Sequence, residues 1–390
     1  MKTTIWRYHA FKFFFSLHFF GAVLVPFFTD WGRISTFQIF FLQSWFALWC
    51  FLLEVPTGAV ADYLGRKYSI ALGALLATFG TLLYGSVPSF TAFLIGEFIL
   101  ALSFALISGA DEALLYDALK EEGREKDAPK IFGTAQSINL TALLIASLTG
   151  SVIAAKFGLN APLLLTSVPF FIAAIFAWSI KEPRFREKTS ESRRYSVILK
   201  KGLTYLYKHK FLQLIAVDAV IVSSSASFVV WFYQPMLKSI NMPILWFGVF
   251  HAIMFVAEIL VSSNFSKLKK LAGSEQNYFR WSALIVTCVF LLVAIKINLL
   301  TISLFLILGG GVGYTRLAFA TAYMNRFISS AQRATVLSSV SMMRRFALIF
   351  LYPIAGFIAD KSMPVALFFL SLLPLSIFFF SPMEKSMLED

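Results

Sequence analysis

Charge is scarce in this chain, and cysteine and histidine are scarcer. Only 14% of the 390 residues are Asp, Glu, Lys or Arg, against roughly 25% in soluble domains, so a water-soluble globule is excluded. The two cysteines, Cys50 and Cys288, both stand inside apolar runs, which excludes a disulfide framework and a cysteine metal site. The four histidines, His9, His18, His209 and His251, fall in no ligand spacing, and neither an Asp-rich motif nor a Ser or Cys nucleophile beside histidine is present. No metal or other cofactor is therefore expected, and a membrane-embedded enzyme acting on lipid is the disfavoured alternative. The chain also lacks Gly-x-x-x-x-Gly-Lys-Ser/Thr, so ATP is not its own energy source.

What fills the sequence is hydrocarbon: 58% of residues are hydrophobic and 17% aromatic, with a mean hydropathy of +0.75. The formal charge of +13 would suit nucleic acid, yet the cations fall into an alternating pattern that needs no such partner. Lys2 and Arg7 precede the first apolar run, Arg66 and Lys67 follow the second, and Arg124, Lys126 and Lys130 follow the fourth. A basic stretch runs from Lys181 to Lys210, and Lys267, Lys269 and Lys270 follow the eighth run. The intervening loops hold few cations beyond Arg33, Lys156, Lys238, Lys296 and Lys361. The positive-inside rule then puts both termini in the cytoplasm of a multi-pass inner-membrane protein.

Apolar runs of about 20 residues, the length that crosses about 30 Å of hydrocarbon, are expected near 9–29, 36–60, 68–88, 90–117, 132–155, 160–180, 209–237, 243–264, 277–296, 298–325, 333–359 and 363–381. The fold class is thus all-α membrane protein, twelve transmembrane helices in two pseudo-symmetric six-helix bundles. The bundles are 1–180 and 209–390, joined by a cytoplasmic linker, 181–208. In the linker Tyr195, Ile198, Leu199, Leu203 and Leu206 recur at helical spacing among cations, which predicts an amphipathic helix on the inner lipid surface. The first run follows a basic start but has no small-x-small cleavage site, so it is read as a retained anchor. A thin internal repeat supports the halves: Gly58 precedes Asp62 by four positions, Gly356 precedes Asp360 likewise, and Gly150 has Ala154 in the acid's place. Such repeats accompany alternating-access carriers.

Closing the second run and immediately preceding the third is Glu54-Val-Pro-Thr-Gly-Ala-Val-Ala-Asp-Tyr-Leu-Gly-Arg-Lys67. Proline, two glycines, a carboxylate and two cations are concentrated there, and the glycines are expected to let helices approach closely. Gly58, Asp62, Gly65, Arg66 and Lys67 fill every position of Gly-x-x-x-Asp-x-x-Gly-Arg-Lys/Arg, and in this the chain resembles the major facilitator superfamily. The resemblance implies two bundles rocking about a central substrate cavity lined by the first, fourth, seventh and tenth helices. It also implies a cytoplasmic gate in which Asp62 sits near the start of helix eleven and Arg66 pairs with an acid at the inner end of helix four, the place of Asp117. Two departures limit the likeness. No Gly-Pro-rich signature of drug antiporters occurs around Ser147 to Ala155, and Glu97 stands where an arginine early in helix four often assists proton coupling. The runs beginning Ser108-Gly-Ala-Asp-Glu and Arg333-Ala-Thr-Val resemble a bacterial branch of the family with undefined substrates.

Ionisable residues at bilayer depth cost about 2.5–3.5 kcal/mol each on insertion scales, so each requires a partner, a cavity or a proton. In the fourth run are Glu97, Asp111 and Glu112. The fourteen positions from Glu97 to Asp111 turn an unbroken helix through about 1400°, leaving the two within about 40° of one face. Asp218 precedes Ser223, Ser224, Ser225 and Ser227, a run that would suit a wetted wall, and His251 and Glu258 share a face. Glu97, Asp111, Glu112 and Asp218 are the proton-coupling candidates, because desolvation favours a neutral carboxyl. His18, His251 and Arg316 are the substrate-cavity candidates: Arg316 follows Gly309, Gly310, Gly311 and Gly313 and suits an anionic group, or else pairs with Asp111. Glu54, Glu258, Arg344 and Arg345 are the structural ion-pair candidates, with Glu258 or Asp218 set against either arginine. The expected function is secondary active transport of a small organic solute, by proton-coupled export or alternatively by an uptake symport, in a protein able to act as a monomer.

Overall fold

A computed structural model describes residues 2–108, 110–183 and 202–380, and helices account for almost all of them. The helices are α1 (Thr4–Trp31), α2 (Thr36–Leu64), α3 (Arg66–Ser86), α4 (Phe90–Glu121), α5 (Glu125–Phe157) and α6 (Ala161–Ser179). There follow α7 (Lys210–Ser239), α8 (Ile244–Ser263), α9 (Glu275–Ile295), α10 (Leu299–Met324), α11 (Ser330–Lys361) and α12 (Met363–Phe380). Eleven are long and apolar enough to cross a membrane, and the described part of α12 is a shorter apolar helix. Large side chains such as Phe79, Phe171, Trp178, Phe350 and Phe368 are exposed along them, as a hydrocarbon solvent requires and water forbids.

Contacts divide the chain into two compact units, Met1–Ile34 with Leu42–Tyr195, and Ser35–Phe41 with Ser196–Asp390. The first turn of α2 thus counts with the second unit, where Phe40 packs against Phe228, Phe232 and Tyr352. Inside the first unit α3 lies along α6 and α4, and α1 packs on α5 and α6; inside the second, α9 lies along α12 and α7 packs on α10, α11 and α12. The core of the first unit is built on Tyr8, Phe11, Ile70, Leu114 and Ile131, and that of the second on Phe211, Leu212, Ile215, Phe279 and Phe319.

Several helices are broken where a neighbour satisfies the backbone, which is the condition for irregular structure in hydrocarbon. In α1 the regular helix ends at Ser16 and helical turns resume at Gly21. The Phe19 amide of this break donates to the Thr166 hydroxyl at 2.9 Å, and the Ser16 hydroxyl donates to the Asn139 amide oxygen at 2.5 Å. Pro56 lies inside α2; next to it the Thr57 hydroxyl bonds the Leu53 carbonyl at 2.8 Å and the Ala105 carbonyl of α4 at 3.1 Å. In α10 the stretch Phe305–Val312 is wound as a π-helix. A Cβ at Gly311 would stand 2.9 Å from the Ala257 Cβ and 3.1 Å from its carbonyl carbon, so only glycine lets α10 lie this close to α8.

Two expectations are corrected at this level. Helix α4 is not continuous: the first segment ends at Ser108 and a second begins at Asp111, so the angular count that put Glu97 and Asp111 on one face does not apply. Residues 184–201 of the linker, with Tyr195, Ile198 and Leu199, lie outside the described residues. Residues 202–208 are helical, but Leu206 is buried in the core of the second unit rather than facing lipid.

Candidate functional site

The loop joining α2 to α3 owes its shape to Gly65, whose φ of 120° is open to glycine and strained for other residues. The turn aims the first amides of α3 at Glu182, just beyond α6. The backbone N–H groups of Arg66 and Lys67 donate to its two carboxylate oxygens at 2.8 and 2.9 Å. A carboxylate at a helix N-terminus satisfies orphan donors and meets the positive end of the helix dipole. Glu182 is a residue that sequence reasoning missed; the signal was an acid amid the cations that follow α6.

Arg66 itself reaches α4. Its Nη1 bonds the Asp117 carboxylate and the Ala113 carbonyl, the latter at 2.8 Å. Lys67 packs its ammonium over the rings of Tyr68 and Trp178, at 4.8 and 5.7 Å from the centroids. Asp62 is exposed on the last turn of α2, and Glu54 is half-buried two turns earlier. Gly58 does not serve as a close-approach point: a Cβ built there meets nothing within 4 Å.

Deeper in the first unit, three acids of α4 have different surroundings. Asp111 is buried and paired with the Lys12 ammonium of α1 at 2.5 Å, while its other oxygen accepts the Glu112 amide at 2.7 Å. Glu112 is exposed. Glu97 is buried, and its hydrogen bond comes from the neutral amide of Gln43 on α2, at 3.2 Å. No cation pairs with it among the described residues. His18 sits in the break of α1, its ring stacked on Phe20 with centroids 4.9 Å apart and its buried Nδ1 without a hydrogen-bond partner among the described residues.

The second unit holds a polar cluster closed on itself. The Arg316 guanidinium of α10 forms a fork with Asp218 of α7: Nε donates to one carboxylate oxygen at 2.8 Å and Nη2 to the other at 2.7 Å. Its Nη1 donates to the Phe279 carbonyl at 2.5 Å and to the Ser282 hydroxyl. Both side chains are almost fully enclosed, at 0% and 2% exposure. The expected partner of Arg316, Asp111, is instead engaged with Lys12. The pairing of Asp218 with Arg344 or Arg345 is corrected in the same way, since its two oxygens are taken by Arg316. The serines after Asp218 form no wetted wall, because all four are buried, with the Ser225 hydroxyl bonded to the Leu370 carbonyl of α12 at 2.9 Å.

His251 of α8 meets the Tyr233 hydroxyl of α7 through Nδ1 at 3.1 Å. Glu258, two turns on, is half-buried and makes no ion pair among the described residues, so its expected bridge to α11 is absent there. Arg344 is half-buried on α11 with its Nε enclosed and without a hydrogen-bond partner among the described residues, and Arg345 is half-buried beside it. Beside the first turns of α7 and against Met343 of α11 lies a groove of about 410 Å³ bordered by Leu203, Leu206, Val217 and Met343. Its walls are mainly apolar and hold none of these charges. No group of three or more potential metal ligands occurs among the described residues.

Comparison with known proteins places this geometry. A family model described as Major Facilitator Superfamily matches residues 10–352. In Danio rerio, "Solute carrier family 2, facilitated glucose transporter member 12" is 42% identical over 59 residues, 15% of this chain and 10% of that protein. An uncharacterized transporter of Buchnera aphidicola subsp. Acyrthosiphon pisum is 32% identical over 107 residues, 27% of this chain and 26% of that one. The matches thus span about a quarter or less of these relatives' lengths. Among solved structures, the nucleoside transporter NupG superposes with a TM-score of 0.83 at 14% identity, covering 100% of both chains. A D-xylose-proton symporter superposes with a TM-score of 0.71 at 14% identity, covering 98% of both. At such identity the likeness is one of fold.

Proposed function

Because the chain belongs to the major facilitator superfamily, whose relatives are transporters and not enzymes, we propose that it is a secondary active transporter moving a small organic solute by alternating access, coupled to protons. The full architecture in this reading is twelve spans in two six-helix bundles, 1–180 and 209–390, with 181–208 between them on the cytoplasmic face. The alternation of cations along the sequence supports an inner-membrane position with both termini inside. In this reading the protein acts as a monomer in the lipid bilayer.

The observation that carries the coupling is Glu97. Asp111, Asp117 and Asp218 each have a cation on the carboxylate, whereas Glu97 is buried with a neutral amide. A carboxyl at bilayer depth without a cation needs water or a proton, so Glu97 is assigned as the group that binds and releases the coupling proton. Arg66, Asp117, Lys67, Asp62, Gly58 and Gly65 form the cytoplasmic gate in this reading. The Arg66 side chain bonds Asp117 and one carbonyl and is not fully enclosed, at 13% exposure, which suits bonds broken in each cycle.

The direction assigned is export. Uptake symport is the second reading, favoured by the fold shared with the D-xylose-proton symporter. Reconstituted protein enclosing a pH-sensitive dye tests both points. Export predicts that cargo added to one side of an oriented vesicle drives protons the opposite way, and symport the same way. Glu97→Gln is expected to abolish proton movement while leaving cargo exchange, and unaltered proton movement in that variant removes Glu97 from the path.

A further inference from the structure

Lys12 is a cation of the first unit that sequence reasoning missed, and it stands eight residues inside the span Thr4–Trp31. That is about 12 Å at about 1.5 Å per residue, which exceeds the length of its side chain. Tyr8, Lys12 and Ser16 recur at intervals of four, so one face of the helix Lys2–Ser16 carries a phenol, an ammonium and a hydroxyl in a column. The Lys12 ammonium has three donors and makes one hydrogen bond among the described residues, to the Asp111 carboxylate at 2.5 Å. Its Nζ lies 5.9 Å from the centroid of the Tyr8 ring, and the Tyr8 hydroxyl is enclosed without a hydrogen-bond partner among the described residues. One turn on, the Ser16 hydroxyl donates to the Asn139 amide oxygen of α5 at 2.5 Å. The Asn139 amide nitrogen makes no hydrogen bond among the described residues.

This column is not sealed. The Lys12 side chain is 26% exposed against 8% for Asp111, whereas Arg316 and Asp218 shut each other in at 0% and 2%. Asn139 is half-buried, and Gln136, Ser137 and Thr141 of the same helix are exposed. A Cβ built at Gly133, on the turn before them, meets nothing within 4 Å. Polar groups open at bilayer depth call for water or a polar ligand. The groups left over are all donors: two ammonium N–H, an amide NH2 and a phenol O–H. Asp111 does not depend on Lys12 alone, because its other oxygen accepts the Glu112 amide at 2.7 Å in the first turn of a helical segment, where the dipole favours a carboxylate. Glu112 is exposed and forms no ion pair with Lys12 among the described residues.

We propose that Lys12 and Asn139 form the docking point for an anionic oxygen group of the cargo, a carboxylate or a phosphate ester. The oxyanion accepts from the spare N–H groups of Lys12 and from the Asn139 amide, as charge-assisted hydrogen bonds favour. A lysine suits the place because a compact ammonium on a flexible stem turns between two acceptors. Asp111 holds that ammonium in position while the site is empty and shares it once the cargo is bound. The role expected of Arg316, which Asp218 occupies, thus falls to Lys12. The inference rests on the transporter reading and adds to it the chemical class of the cargo; Glu97 retains the proton.

The test uses the purified full-length chain in detergent and thermal unfolding at constant ionic strength. The probes are small mono- and dicarboxylates and phosphate monoesters, each beside the uncharged amide or alcohol of the same skeleton. Stabilisation by mass action is expected from anions and from no neutral analogue. Lys12→Gln is expected to raise the anion concentration needed for that shift by about tenfold or more, the worth of a hydrogen bond to a charged group. Asn139→Ala should raise it less, and Lys12→Arg should keep most of the shift. A purely structural lysine predicts otherwise: Lys12→Gln lowers the unfolding temperature of the empty protein and leaves the anion shift intact, and that result overturns the proposal. So do equal shifts from the neutral analogues, no shift from any anion, or a shift from a short-chain anionic phospholipid alone, which would make the site a lipid contact. The two readings fail differently. Flux of a neutral solute with no anion effect rejects this inference alone, whereas anion binding through Lys12 with no flux in vesicles rejects the transporter reading.

Discussion

The pair formed by Arg316 and Asp218 invites the most direct test of how this chain handles charge. Asp218→Asn removes the negative charge and leaves the guanidinium enclosed with only neutral acceptors, the new amide oxygen, the Phe279 carbonyl and the Ser282 hydroxyl. At an effective dielectric of about 20 two unit charges about 4 Å apart attract by about 4 kcal/mol. Breaking a buried pair from one side generally costs about 3–5 kcal/mol. The two figures agree because both count one uncompensated charge in a poorly polarisable interior. Replacing both members by apolar residues of similar size, Asp218→Leu with Arg316→Met, removes the desolvation cost along with the attraction and is expected to recover most of the loss. The assay is thermal unfolding of purified protein followed by size-exclusion chromatography. The expected order is parent close to the double variant, with each single variant well below. A single variant as stable as the parent would mean that water or lipid headgroups reach Arg316, and the reading of this cluster as a closed structural bolt would fall. So would a double variant worse than either single one.

Other outcomes follow from the contacts of the first unit. Glu182→Ala strips the acceptor from the first two amides of α3 and is expected to cost about 0.5–2 kcal/mol, as the loss of an N-cap does. Glu182→Gln should lose less; an unchanged unfolding temperature in the alanine variant would refute the capping role. Lys12 and Asp111 should couple by about 0.5–3 kcal/mol in a double-mutant cycle built from Lys12→Met and Asp111→Asn, since contacting residues are non-additive. Additive losses would mean that the 2.5 Å contact contributes nothing of its own.

The chain's membrane class and the positions of its helices were legible in the residues themselves. The expected spans near 68–88 and 160–180, for example, appear as Arg66–Ser86 and Ala161–Ser179. Hydropathy is local and additive, and a bilayer leaves an apolar run of about 20 residues little choice but a helix. The motif from Gly58 to Lys67 was likewise readable, because a family resemblance resides in consecutive residues. Even so, its contacts depend on Glu182, more than a hundred positions away.

Tertiary structure alone decided who pairs with whom. Asp111, Asp218, Glu258, Arg316 and Arg344 are chemically interchangeable partners when read along the sequence, and their expected pairings were wrong in several cases. Ion pairing falls off within a few ångströms, so it is fixed by which helix faces which and at what depth, and that in turn is set by features such as the Ala257–Gly311 contact and the break of α4 after Ser108. The sequence by itself determined that costly charges lie in the hydrocarbon layer. Only the packing separated those neutralised inside the protein, Arg316 with Asp218 and Lys12 with Asp111, from Glu97, Glu258 and Arg344, whose charges no described ion pair offsets.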